Sequence, residues 1–498
     1  MVTLVGAGPG GRGLLTLAGA EALRQAEVVV YDRLVSEEIL ALIPEGAERA
    51  DVGKEQSRHP VPQAEINALL ARYAQGGRRV VRLKGGDSFL FGRGGEECEY
   101  LKAHGIPFRV IPGVTSALAA PAMAGIPVTH RDFCSSVHII TAHARGNAPL
   151  EIDYGSLVRM RGTLVFLMGV TALSEICAGL LAAGLSPDTP AAVVENGARP
   201  HQRKLVSTAA GLPDAAREME LKSPAVIVVG GVCTLSDTLD WFTPLPLHGR
   251  TVIVTRPKAR AGRLSDKLRA LGAEVIECPC IETVLRADLS ALQEALAVPH
   301  DWAVFTSPAG VHLTVQALRQ LGRDLRVLYG LRFAAVGCAT AEALEAYGLS
   351  ADLTPEQYDG THLAEALLHE LPEGGAALLL RASGGSPELP GRLAEAGIRV
   401  SDVPVYDTVC GAAEAAYLRE RLASADAAAF TSASTVRGFM QAAGDCVPSG
   451  FAAACIGPQT AKEAAHYGLR VKTAQNATVE ALAACVEELF SDGKGETE

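Results

Sequence analysis

The residues best suited to chemistry gather in the first hundred positions. Gly6-Ala7-Gly8-Pro9-Gly10-Gly11 lies between an apolar run, Thr3 to Val5, and a stretch of helical composition from Leu14 to Gln25. Glycines there let backbone N–H groups approach a ligand closely, and Pro9 fixes a turn. Gly6, Gly8 and Gly11 satisfy GxGxxG, and Asp32 closes the next apolar run about where a ribose-binding acid would sit. A nicotinamide-dependent oxidoreductase is therefore one reading of this segment. A second glycine-rich segment, Arg82 to Glu97, combines Gly85 and Gly86 with Asp87, Phe89 and Phe91. A dinucleotide fold does not account for it; an adenosine-type ligand held against open backbone does.

The elements that must position these residues follow from hydrophobic periodicity. Short Val/Ile/Leu runs alternate with Ala/Leu/Glu/Arg stretches along most of the chain, the pattern of α/β units. Strands are expected at Thr3 to Val5, Val28 to Tyr31, Val80 to Leu83, Val137 to Thr141, Thr163 to Leu167, Val226 to Val229 and Thr251 to Thr255, and a helix at Gln63 to Gln75. The segment from Asp240 to Arg250 carries two prolines and a glycine, which break any helix or central strand and mark the main boundary. The expected division is a first domain at 1–243, a linker at 244–250, a second domain at 251–490 and a polar tail at 491–498.

Composition narrows the function. With 498 residues the chain exceeds one ordinary core. A net charge of −11 argues against general nucleic-acid binding, which needs a basic surface, yet leaves room for an acidic small molecule in a locally cationic pocket. No apolar run reaches the length needed to span a bilayer, and the start lacks a secretory signal, so a soluble, cytoplasmic protein without membrane partners is expected. The eleven cysteines are scattered and form no CxxC pair, which points to reduced, buried thiols and no metal site.

Further blocks follow in order: Val52-Gly53-Lys54, Ile111-Pro112-Gly113-Val114-Thr115-Ser116, Thr129-His130-Arg131-Asp132, Phe166-Leu167-Met168-Gly169 and Val194-Glu195-Asn196-Gly197. Together with the two glycine-rich segments, residues 2–243 resemble the uroporphyrinogen-III C-methyltransferases of the precorrin methyltransferase family. The resemblance implies a two-lobed tetrapyrrole methylase fold that is not Rossmann, a homodimer, and S-adenosylmethionine as methyl donor, leaving as S-adenosylhomocysteine. It places Pro9, Gly85, Gly86, Asp87, Leu90, Thr115, Ser116, Met168, Gly197 and Ala225 around the donor. Asp32 falls on the family's proton acceptor and Lys54 on its proton donor. Methylating a pyrrole carbon creates a cation that must lose a proton, which calls for a carboxylate near the macrocycle. Arg82, Lys84, Arg93 and Arg131 suit the substrate's many carboxylates. Read without the resemblance, Asp32 also fits a strand-end acceptor, Lys54 a solvated cation and Met168 ordinary packing. At position 11 the family usually has Asp, and this chain has Gly.

The second half repeats itself at a spacing of 125: Arg256, Gly272, Pro279 and Thr283 are matched by Arg381, Gly397, Pro404 and Thr408, and Phe305-Thr306-Ser307 by Phe430-Thr431-Ser432. After a five-residue deletion, Gly337, Thr340 and Ala341 return as Gly457, Thr460 and Ala461. Two similar doubly wound α/β lobes with a cleft between them are expected. With Val252 to Pro257, Ala335-Val336-Gly337, Val405-Tyr406-Asp407-Thr408 and Ile456 to Ala461, residues 250–490 resemble uroporphyrinogen-III synthase. The resemblance implies ring closure of hydroxymethylbilane with inversion of the last pyrrole. It also implies a discontinuous first lobe, about 251–284 plus 411–490, around a second at about 288–405. Tyr406 then falls at a crossover, where its hydroxyl could protonate the leaving group, or its ring could simply pack a hinge. Ser307, Ser432 and Thr460 follow strands, where they could bind carboxylate arms or cap helices.

Overall fold

The computed structural model describes residues 1–53, 61–142, 151–255, 258–410 and 415–491. The chain divides into two compact units, Met1–Arg250 with Leu271–Glu274, and Thr251–Ala270 with Val275–Glu498.

The first unit holds two sheets. β1 (Val2–Gly6), β2 (Val28–Tyr31), β3 (Glu48–Asp51), β4 (Val80–Lys84) and β5 (Phe108–Ile111) form a wholly parallel sheet in the order β3-β2-β4-β1-β5. Its central strands are buried on both faces, which is why they read as unbroken apolar runs rather than alternating ones. Helices Gln63–Gln75 and Gly94–Ala103 cover one side, with Leu70 and Leu101 fully buried against Val2, Leu4 and Val30. β6 (Val137–Thr141), β7 (Thr163–Leu167), β8 (Pro190–Glu195), β9 (Arg203–Thr208) and β10 (Ala225–Val229) form the second sheet, ordered β6-β7-β10-β8-β9, with β10 antiparallel to both β7 and β8.

The order of the first sheet decides between the two readings of the opening loop. In a dinucleotide-binding fold the strand bearing the ribose acid lies beside the glycine-loop strand. Here β4 runs between β1 and β2, so the carboxylate of Asp32 meets residues of β4 instead. The fold is α/β but not Rossmann.

The second unit also holds two sheets. Its strands are β11 (Thr251–Val254), β12 (Glu274–Glu277), β13 (Ile281–Leu285), β14 (Trp302–Phe305), β15 (Arg332–Ala335), β16 (Ala376–Ala382), β17 (Arg399–Cys410), β18 (Ala427–Phe430), β19 (Ala452–Cys455) and β20 (Arg470–Thr473). One sheet runs β12-β11-β18-β19-β20 and the other β13-β17-β16-β14-β15. The repeat seen in sequence is visible in this order. β14 and β15 occupy the places that β18 and β19 occupy in the other sheet, and an isolated parallel bridge, Ala334 to Leu353, stands where β20 would be. The ladder from Ile281↔Cys410 to Leu285↔Tyr406 lies in the second of these sheets. Residues 281–284, read from sequence as first-lobe, thus pair with the second lobe, because the antiparallel partner β17 extends as far as Cys410.

Candidate active sites

In the first unit the two glycine-rich loops meet. Gly8 and Gly86 exchange backbone hydrogen bonds (3.1 and 2.9 Å), and Ala7 N–H donates to the Lys84 carbonyl at 2.8 Å. The backbones approach so closely that a Cβ on Gly6 would lie 2.5 Å from the nitrogen of Gly113. No side chain fits there. Asp87 fastens the arrangement, accepting from the N–H groups of Phe89 (2.8 Å), Leu90 (3.0 Å) and Gly113 (2.9 Å). Its carboxylate shapes the loop rather than pointing at open space.

Beside these loops lies a cleft with about 530 Å³ of empty space. Pro9, Gly85, Gly86, Ser116, Gly197 and Ala225, all expected around a methyl donor, line it. Thr115, one residue back, caps helix Ser116–Met123 by accepting from Ala117 N–H, and so sets Ser116 at the rim. Leu90 packs into the core beneath the second sheet. Met168 is half exposed just beyond β7, with a left-handed backbone (φ 57°). Gly197 is obligatory, since a Cβ there would stand 2.1 Å from that of Ala120.

Arg199 also lines the cleft, and sequence reading missed it. Its Nε donates to the Pro9 carbonyl (3.3 Å) and an NH2 group to the Leu34 carbonyl (2.9 Å), tying the second lobe of this unit to the first. Burial pulls its pKa down from the ordinary arginine value, partly countered by Glu274. Its place in Asn196-Gly197-Ala198-Arg199, directly after a motif already singled out, was the available signal.

Asp32 sits at the carboxyl end of β2, about one-third exposed. Arg82 donates to its Oδ1 at 2.6 Å and Lys84 to its Oδ2 at 3.4 Å. Arg82, expected among the anchors for substrate carboxylates, is 1% exposed and committed to Asp32 and Glu97. The reason is its strand: β4 is central, so Arg82 and Lys84 both face inward, where only ion pairing makes a charge tolerable. Arg131 is exposed, as is Arg93, which forms a bidentate pair with Glu96 (3.0 and 2.7 Å). Lys54 lies outside the described residues.

In the second unit, Tyr406 is buried on β17. Ser307 accepts from Gly310 N–H at 3.0 Å, capping helix Pro308–Gln320. Ser432 caps helix Ala433–Ala443 in the same way, reciprocally with Thr435. Thr460 is buried in the first turn of helix Pro458–His466. The structure therefore puts Ser307 and Tyr406 on one sheet, and Ser432 and Thr460 behind adjacent strands of the other. Ser307, Ser432 and Thr460 each lie beyond the carboxyl end of a parallel strand, where open α/β sheets bind ligands. Among the described residues, no group of three His, Cys, Asp or Glu is placed to hold a metal ion, and no helix is long and apolar enough to cross a membrane.

Comparisons with known proteins match the two halves of the chain to different families. A family model described as tetrapyrrole (corrin/porphyrin) methylases matches residues 1–213, and one described as uroporphyrinogen-III synthase HemD matches residues 262–484. A relative from Ruminiclostridium josui, named porphyrin biosynthesis protein HemD, is 46% identical over 498 residues, covering 99% of this chain and 98% of that protein. Siroheme synthase 3 of Aeromonas hydrophila is 52% identical over 241 residues, 48% of this chain and 51% of that protein, so the chain spans about half the length of that relative. A solved uroporphyrin-III C-methyl transferase from Thermus thermophilus, complexed with S-adenyl homocysteine, is 40% identical and covers 47% of this chain and 99% of its own, with a TM-score of 0.41. The near full-length match, with both family models in sequence, shows that the chain belongs to the porphyrin-biosynthesis family in which a tetrapyrrole methyltransferase is joined to a uroporphyrinogen-III synthase.

Proposed function

We propose that the second unit closes hydroxymethylbilane to uroporphyrinogen III with inversion of the last pyrrole, and that the first unit methylates this product twice, through precorrin-1, to precorrin-2. The observation that carries the methylation reading is the glycine-lined cleft of the first unit. Six of its lining residues are those a methyl donor of the S-adenosylmethionine type would need, and open backbone at Gly85 and Gly86 suits the donor's polar groups. S-adenosylmethionine supplies an activated methyl group when bound. Pro9, Gly85, Gly86, Ser116, Gly197 and Ala225 hold it, while Asp87, Leu90, Thr115 and Met168 shape their surroundings. Asp32 takes the proton that the cationic methylated macrocycle must lose from a position next to the methylated carbon, which itself carries no hydrogen, and Lys54 takes the place of the family's proton donor. Arg131 meets substrate carboxylates.

In the second unit the chemistry is mostly geometric, because the linear substrate closes unaided to the wrong isomer and the protein must hold the other arrangement. Tyr406 assists departure of hydroxide; Ser307, Ser432 and Thr460 receive carboxylate arms. The product feeds siroheme and cobalamin synthesis in the cytoplasm, and the protein works as a homodimer through its first unit, which light scattering would test.

The test of function is incubation of the purified protein with hydroxymethylbilane and S-adenosylmethionine. Dimethylated type III product, identified by mass spectrometry and chromatography, is expected. Recovery of only the type I ring would overturn the synthase reading. Failure to methylate uroporphyrinogen III supplied directly would overturn the other.

A further inference from the structure

Behind Asp32 lies a buried residue that neither the motifs nor the cleft explains. Glu97, on the first turn of helix Gly94–Ala103, is fully buried. Its Oε1 accepts from Arg82 Nε at 3.1 Å, Lys84 Nζ at 3.2 Å and Gln63 Nε2 at 3.0 Å. The same two cations reach forward to the two oxygens of Asp32. Asp32, Arg82, Glu97 and Lys84 thus close a ring of two acids and two bases, exposed to solvent chiefly at Asp32. The second oxygen of Glu97 is buried without a hydrogen-bond partner.

Burying an arginine and a lysine is costly unless their charge is matched. Asp32 alone would leave one positive charge in excess, so Glu97 balances the ring. It cannot touch substrate, being sealed from solvent. We propose that Glu97 is a positioning residue for methylation: it draws Arg82 and Lys84 inward, so that Asp32 is oriented by them without being neutralised by both. This rests on the reading of Asp32 as the base. Without the charge of Glu97, both cations turn on Asp32 and hold its oxygens away from the substrate proton.

The test uses the full chain, with uroporphyrinogen III supplied directly. Glu97→Gln preserves shape and removes the charge. Its kcat for methylation should fall by about tenfold to a hundredfold, less than the roughly 10²–10⁴-fold that a general acid or base itself contributes, while KM for S-adenosylmethionine and the affinity for S-adenosylhomocysteine by calorimetry stay within about twofold. In an Asp32→Asn background the same change should cost nothing further, because its effect passes through Asp32. Wild-type kcat in Glu97→Gln, or an undiminished additional loss in the double variant, would overturn the proposal. Wild-type kcat in Asp32→Asn alone would instead overturn the base assignment on which it rests. If Glu97→Gln no longer binds S-adenosylhomocysteine, Glu97→Asp decides. That change keeps the charge but withdraws it by one methylene from Arg82 and Lys84, loosening its hold on both. A several-fold fall in kcat that vanishes in the Asp32→Asn background sustains the proposal, and an unchanged kcat refutes it.

Discussion

The hydroxyl of Tyr406 stands 2.8 Å from the Oγ of Ser307, across the second lobe of the synthase unit. Ser307 is simultaneously a helix cap, so one side chain both fixes the start of a helix and holds the tyrosine that sequence placed at the crossover. The two roles separate by substitution. Tyr406→Phe should slow ring closure by roughly a hundredfold if its proton assists the leaving group, with little change in stability. Ser307→Ala should cost about 1 kcal/mol from the lost cap and only a few-fold in rate. Chromatographic scoring of type III against type I isomer, beside thermal melting, separates these outcomes.

Arg199 makes a second prediction. It binds the Pro9 and Leu34 carbonyls from the far side of the cleft. Arg199→Ala should leave each lobe of the methyltransferase folded yet loosen the cleft, raising KM for S-adenosylmethionine by about tenfold, or roughly 1.4 kcal/mol. An unchanged KM, measured with saturating uroporphyrinogen III, would show that the tie is dispensable.

Gly11 makes a third. Where the resemblance leads one to expect Asp, this chain has Gly, and the end of the Glu38 side chain fills the space: its Oε2 lies 2.6 Å from the place a Cβ would take and accepts the N–H of Arg12 at 3.1 Å, so a side chain at position 11 must push it aside. The carboxylate beside the loop comes from another segment. Gly11→Asp should therefore destabilise the methyltransferase by about 1–3 kcal/mol, through crowding and like-charge repulsion. In a Glu38→Ala background the same change should be milder or favourable. Calorimetric melting of the four combinations reads the coupling directly, and additive effects would contradict it.

A fourth concerns pH. His300 is held by a contact with Ser401 Oγ at 2.8 Å. Burial lowers its pKa, with help from Arg399 and opposed by the Val298 carbonyl and Asp301. The folded state thus binds a proton less readily than the unfolded chain. Its contribution to stability is complete above the unfolded value near 6.5 and declines as pH falls from there through the lower folded value. Urea midpoints at pH 7.5 and 5.5 should differ less in His300→Gln than in the unaltered protein; an equal difference would exclude this histidine as a source.

Much of this could be read from sequence, for identifiable reasons. The buried strands declared themselves, because Val28 to Tyr31 and Leu164 to Leu167 are runs of apolar and aromatic residues, and the helix Gln63–Gln75 carries its apolar residues at helical spacing. The glycine motifs were legible since backbone crowding leaves no alternative residue. The ring around Asp32 was not. Arg82 and Lys84 look like surface cations until β2 is known to lie beside β4, and nothing local in Gly94-Gly95-Glu96-Glu97 distinguishes the buried Glu97 from the exposed Glu96. Such pairing is a property of strand order, which periodicity does not encode. Lys54, read as a proton donor, lies outside the described residues.

The interrupted first lobe of the synthase imposes a schedule on its own synthesis. Val252 pairs with Ala427, so β11 emerges from the ribosome well before its central neighbour. At about 5–20 residues per second, the intervening stretch of about 175 residues takes roughly 10–35 s to make. Throughout that interval an apolar strand has one long edge open, while the inserted lobe, whose strands run unbroken from β13 to β17, can already close on itself. The later-finished lobe is thereby built around an earlier one, and the nascent chain carries an unpaired strand edge during the wait.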